Sequence, residues 1–220
     1  MVRFSSATKA AFSSTLRGSK YSSAINVSTH VDGQRRRCGD TQRRFVQYMD
    51  KISRSLHIRA VTLPRIQPII PTWRKEPFDD PEWLFEFKYD GFRGLFYLER
   101  GRCRFISRNG NVLSRFEALG EQVAAVLDVD EAIIDGEVIA ADETGRPQFY
   151  DLVRRTRATT YVAFDLLWLN GTDLRSLPLG ERRKRLQAIL PTKSPTIAEA
   201  LSVTGRGREL FHLMCSNDLV

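Results

Sequence analysis

A chain of 220 residues, 42% hydrophobic and 27% charged, has room for one globular domain of ordinary size and a tail, and it holds no run of about eighteen apolar residues that would cross a membrane. Its net charge of +8 suggests a polyanionic partner, but residues 1–60 hold 12 basic and 3 acidic side chains and residues 61–220 hold 22 and 23, so the excess belongs to the N-terminal stretch. Cys38, Cys103 and Cys215 form no CxxC pair or Cys/His cluster, which argues against a zinc site or a disulfide framework and makes a reducing, cytoplasmic setting the expected one.

Residues 1–60 are rich in Ser, Arg and Thr and show little hydrophobic periodicity before Phe45. They are expected to be a disordered basic tail, although the same composition fits an organelle transit peptide or an upstream extension from a misplaced start codon. The proline-rich residues 61–82 predict an extended, ordered lead-in. Residues 83–88 alternate as a strand does, and Tyr89-Asp90-Gly91 is a turn signal. Second and third strands are predicted over 92–99 and 103–107, around Arg100-Gly101-Arg102. Residues 114–127 have helical spacing, with Ser114 as N-cap and Glu117 completing a capping box. A strand over 132–141 is followed by a turn at 143–146. Residues 161–169 read as a buried strand ended by Asn170-Gly171. Residues 179–190 read as a basic amphipathic helix, and 207–215 as a last helix. Strands and helices mix without a strict βαβ repeat, so the fold class is α+β.

The stretch Lys88-Tyr89-Asp90-Gly91-Phe92-Arg93 has the form KxDGxR and follows a strand. Its plain reading is a surface turn with solvated charges. Its chemical reading is covalent catalysis: a lysine amine attacks the α-phosphorus of ATP and expels pyrophosphate. The amine must be neutral to attack, and a free lysine titrates near ~10.4, so burial and a nearby cation are expected to help. Asp90 and Gly91 would shape the turn, Asp90 also holding the pocket. Arg93, on the next strand, would be available to a ribose or phosphate oxygen. Three further stretches follow: Ser107-Arg108-Asn109-Gly110, then Asp135-Gly136-Glu137, then Phe164-Asp165 within an apolar strand. Each has a plain reading too: a turn, a bulge with exposed charges, and a core aromatic.

Together, in this order, the four stretches resemble the ATP-dependent DNA ligases, in particular the ligase domains of bacterial end-joining systems. Those domains open with a proline-containing lead-in and a WxxExKxDGxR pattern, which Trp83, Glu86, Lys88, Asp90, Gly91 and Arg93 match. The resemblance covers roughly 62–219. It implies a nucleotidyltransferase (ATP-grasp-like) adenylation domain over 61–220, with antiparallel sheets and flanking helices.

The resemblance also implies roles. Lys88 is the adenylated nucleophile. Glu86 contacts the adenine edge and Phe164 stacks on the base. Arg93 and Arg108 bind AMP ribose or phosphate, and Glu137 contacts the ribose and supports a metal. ATP is the substrate and Mg²⁺ the expected metal. Nicked or broken double-stranded DNA and end-joining repair proteins are the implied partners, at a bacterial nucleoid. An RNA ligase or mRNA-capping guanylyltransferase, or a non-catalytic remnant, is the alternative. The family continues with EGxVxK and KxK motifs and an oligonucleotide-binding barrel. None of these occurs before Val220, so the chain is expected to be a C-terminally truncated domain, impaired or inactive alone.

Overall fold

Residues 94–98 are buried in succession rather than at every second position, as in a strand covered on both faces. The computed structural model describes residues 2–6, 63–72 and 74–217. In chain order its elements are β1 (Val2–Ser6), β2 (Asp80–Phe87), β3 (Phe92–Glu99), β4 (Arg102–Ser107), a 3₁₀ turn (Ser114–Phe116), α1 (Glu117–Val126), β5 (Glu131–Ala140), α2 (Phe149–Arg154), β6 (Thr159–Leu169), β7 (Thr172–Asp173), α3 (Leu179–Ile189), β8 (Ile197–Glu199), β9 (Ser202–Gly205) and α4 (Gly207–Ser216). A small antiparallel sheet has the order β1-β2-β9. A six-stranded sheet has the order β4-β3-β5-β6-β7, with β8 parallel to β6. The class is α+β, as the element pattern predicts.

The large sheet is covered on both faces. On one, Phe96, Leu98, Phe105, Ile134 and Leu166 pack against Leu119 and Val123 of α1 and Leu186 of α3. On the other, Leu95, Tyr97, Ile133 and Leu167 are covered by Leu63 and Ile66 of the lead-in. Burying each such side chain is worth ~1.5–3 kcal/mol, enough to hold an extended segment that has no ladder of its own. The Tyr97 hydroxyl adds a pin, accepting from Ile66 N–H at 3.0 Å and donating to the Pro64 carbonyl at 3.2 Å. Leu210 and Met214 of α4 pack on Phe85 of the small sheet. No helix among the described residues is long and apolar enough to cross a membrane.

Three expectations change. Ser114 does not cap a helix: it opens the 3₁₀ turn, and no side-chain cap bond forms there. The Leu113 N–H instead bonds the Phe105 carbonyl at 2.9 Å, so the chain enters α1 along β4. The elements α2, β7, β8 and β9 were not foreseen, being too short to show a period. The expected tail lies outside the described residues for 7–62. Residues 2–6 differ from that expectation, pairing antiparallel with β2 from Val2 opposite Phe87 to Ser6 opposite Trp83. The reason is geometric: an uncovered strand edge offers N–H and C=O groups to any extended segment.

Candidate functional site

Two crossings join the sheets. Residues 88–91 carry the chain from β2 to β3, and residues 200–201 carry it from β8 to β9. They lie side by side. Phe87 N–H donates to the Leu201 carbonyl at 3.1 Å, and Leu201 N–H donates to the Tyr89 hydroxyl at 3.3 Å. Burial pushes the Tyr89 phenol up, so it stays a neutral acceptor for that bond. Gly91 is required by close approach rather than by turn conformation: a Cβ there would strike the Val138 carbonyl of β5.

At this junction opens a cleft of about 930 Å³. Glu86, Lys88, Arg93, Arg108, Glu137 and Phe164 all line it, as does Gly91. They arrive from β2 and its crossing, β3, the turn after β4, β5 and β6. Asp90, expected to shape the turn and help hold the pocket, is exposed on the crossing and is not among the residues that line the cleft.

The lining charges fall into two kinds. Arg93 is clamped: its guanidinium meets Asp135 at 3.0 and 2.7 Å and donates to the Ile69 carbonyl at 2.7 Å. Its guanidinium carbon lies 5.6 Å from the centre of the Phe164 ring. Asp135 is 5% exposed, so the first residue of the DGE stretch is a buried anchor and not the exposed charge of the plain reading. The bulge of that reading is present, between Asp135 and Gly136 against β6. A Cβ at Gly136 would run into the Tyr161 ring and the Val162 carbonyl. Glu137, next along β5, is half-buried and stands opposite Arg93 in register.

Lys88 and Arg108 are of the other kind. Lys88 is exposed, and the burial expected around its amine is not there. β2 ends at Phe87, so Lys88 lies past the last residue of its strand. Arg108 is exposed on the turn after β4. Phe164 stands between the two kinds: it lines the cleft, yet it is buried against Ile139, Val162 and Ala200.

Among the described residues, no group of three His, Cys, Asp or Glu side chains could hold a metal ion. The described residues thus offer no protein-built metal cage. A Mg²⁺ ion that arrives on a polyphosphate and keeps most of its waters asks only one or two carboxylates of the protein, and Glu137 fits that demand.

Two arginines went unforeseen. Arg182 meets Asp165 at 2.7 and 2.8 Å, while burial pushes the Asp165 carboxyl up against that pull. Arg183 is buried and pairs with Glu86 at 3.1 Å. The available signal was spacing: residues 179, 183 and 186 share one helix face, which places an arginine on the apolar stripe of α3.

A sequence profile described as "ATP dependent DNA ligase domain" matches residues 74–210. The chain is 39% identical over 114 residues to the multifunctional non-homologous end joining protein LigD of Pseudomonas aeruginosa, and 36% over 110 residues to that of Mycolicibacterium smegmatis. These matches take in 50% and 49% of this chain but 14% of each relative, so the chain spans a small part of their length. It is 28% identical over 162 residues to the SPbeta prophage-derived DNA ligase-like protein LigB of Bacillus subtilis, covering 70% of this chain and 58% of that one. Among solved structures, the ligase domain of LigD from M. tuberculosis aligns with a TM-score of 0.51 at 30% identity, over 64% of this chain and 47% of that one.

Proposed function

Because the chain belongs to the ATP-dependent DNA ligase domain family and has the nucleotidyltransferase fold of its ligase domains, we propose that Lys88 takes AMP from ATP and that the AMP then passes to a 5′-phosphate in broken DNA. The observation that carries this reading is the convergence of six residues, drawn from four separated sequence stretches, on one cleft.

In this reading the adenine lies against Phe164 and Glu86, and the triphosphate runs toward Lys88 and Arg108. The neutral Lys88 amine attacks the α-phosphorus. An N–P bond forms, the bond to the bridging oxygen breaks, and pyrophosphate leaves with the electron pair while the amine proton goes to water. A 5′-phosphate oxygen of DNA then attacks the same phosphorus and frees Lys88. Attack by the neighbouring 3′-hydroxyl on the DNA phosphorus seals the strand and releases AMP. Arg93, already clamped by Asp135 beside the Phe164 ring, meets the ribose oxygens next to the base without reorganising. Glu137 would hold a Mg²⁺ ion carried in on the triphosphate, and the ion would supply positive charge against the phosphates. The setting is cytoplasmic, at the nucleoid, with end-joining repair proteins as partners.

The test is labelling. ATP carrying a radioactive α-phosphate, with Mg²⁺, should leave a covalent adduct on the chain, and Lys88→Ala and Lys88→Arg should both abolish it, since a guanidinium stays protonated. An undiminished adduct in Lys88→Ala overturns the assignment. Stronger labelling from GTP than from ATP favours a capping-type enzyme.

A further inference from the structure

The cleft wall at the base end is built from three separate segments: Glu86 of β2, Phe164 of β6 and Ala200 of the crossing from β8 to β9. One buried guanidinium touches all three. Arg183 Nη1 pairs with the Glu86 carboxylate at 3.1 Å and donates to the Phe164 carbonyl at 2.9 Å. Its Nη2 donates to the Ala200 carbonyl at 3.0 Å and pairs with Glu199 at 3.0 Å. Arg183 itself is 5% exposed and lies outside the cleft lining. It is also a tie between the sheets, because Glu86 stands in the small one and Phe164 and Glu199 in the large one.

We propose that Arg183 is the positioning residue for recognition of the nucleotide base: it holds the Glu86 carboxylate as a fixed hydrogen-bond acceptor beside the Phe164 wall, and so favours a purine that presents an amino group over one that does not. The inference rests on the adenine placement proposed above. Its physical content is preorganisation. An ionised carboxylate only accepts hydrogen bonds. A buried carboxylate stays ionised and in place when a cation is held beside it. The guanidinium is held in turn by backbone carbonyls that lie at fixed points of β6 and the second crossing, so it cannot swing away without breaking both of those bonds.

The experiment compares binding of ATP and of purine riboside triphosphate, which differs by lacking the 6-amino group. The wild-type chain should prefer ATP by about tenfold or more, the range of a hydrogen bond to a charged acceptor. In Arg183→Met that preference should fall to within about twofold, because the amino group no longer meets an anchored carboxylate. In the double variant Glu86→Gln/Arg183→Met it should fall no further than in Glu86→Gln alone, since both substitutions act through one acceptor. If Arg183→Met does not fold, Arg183→Gln, which keeps an N–H donor without the charge, is read in the same way.

Equal weakening of both nucleotides, with the preference intact, would show that Arg183 only holds the fold, and it overturns the inference. A wild-type chain that adenylates Lys88 yet binds both nucleotides equally overturns the placement of Glu86 at the amino edge, and the inference with it. A wild-type chain that never labels at Lys88 fails the earlier proposal. That failure is distinguishable, because it appears without any change at Arg183.

Discussion

The two ends of the cleft are built on different principles. At the base end, Glu86, Arg93 and the Phe164 backbone are each tied by at least one buried or part-buried charged contact, to Arg183 or Asp135. At the phosphate end, Lys88 and Arg108 are exposed. Recognition groups can be fixed before the ligand arrives, because their ion pairs also stabilise the fold. In the proposed reading the nucleophile has to move between partners, and Lys88 is placed for that, on a crossing and not inside a ladder. The contrast teaches that stability and activity should separate along the cleft, and substitutions can test how cleanly.

The largest effect is expected at Lys88. Lys88→Arg should remove all detectable adduct while shifting unfolding free energy by less than ~0.5 kcal/mol, the usual range for an exposed site. Labelled-ATP gels beside urea unfolding check both halves; a marked loss of stability would break the contrast. The opposite case is Asp135→Ala, which leaves the largely buried Arg93 guanidinium without its carboxylate partner and should cost ~3–5 kcal/mol of stability. Arg108→Ala is its counterpart at the other end. It should leave unfolding within ~0.5 kcal/mol and lower adduct yield by up to ~100-fold, the scale of losing one charged donor to the transferred phosphate.

Phe164 sharpens the comparison because it belongs to both kinds. Phe164→Ala should cost ~3–5 kcal/mol of stability through the lost core contacts. It should separately cost ~1–3 kcal/mol of ATP affinity if the ring stacks on the base. Calorimetric melting beside ATP titration of the folded fraction separates the two losses, and an unchanged intrinsic affinity would reduce Phe164 to a core residue.

The smallest effect lies outside the cleft and serves as its control. Asp142 accepts hydrogen bonds from the Thr144 hydroxyl, the Thr144 and Arg146 N–H groups and Gln148, which hold its carboxyl at about 2, below its ordinary 3.8. A depressed carboxyl stabilises above its unfolded value and loses that stabilisation as pH falls toward its folded value. Melting curves of wild type and Asp142→Asn should therefore differ slightly above pH ~4 and converge toward pH ~2. No accompanying change in ATP labelling at neutral pH is expected.

Much of the fold was legible because its main strands are long and mutually consistent. The stretch 92–99 was read at the bounds that β3 has, and the helix at 179–190 was off by one residue. The short β7, β8 and β9 were not, since two to four residues carry no period and become strands only when an edge accepts them. The helix start at Ser114 was misread because a capping box is a local possibility, and here the chain had a better partner in the Phe105 carbonyl.

The candidate site divides the same way. By itself, the sequence determined which residues could carry the chemistry. The lysine, two arginines, carboxylate and aromatic of the proposed site stand in motifs whose spacing along strand and turn is local, and local geometry survives without knowledge of the rest. Only the tertiary structure decided which charges neutralise one another. Arg93 meets Asp135 across adjacent strands, and Arg183 reaches from α3 to Glu86 of the small sheet. Spacing puts Arg183 on the apolar face of its helix, but only packing brings the Glu86 carboxylate to it. Burial follows from what covers a residue, and the groups that meet Arg183 come from β2, β6 and the crossing after β8, none of them its neighbours in the chain.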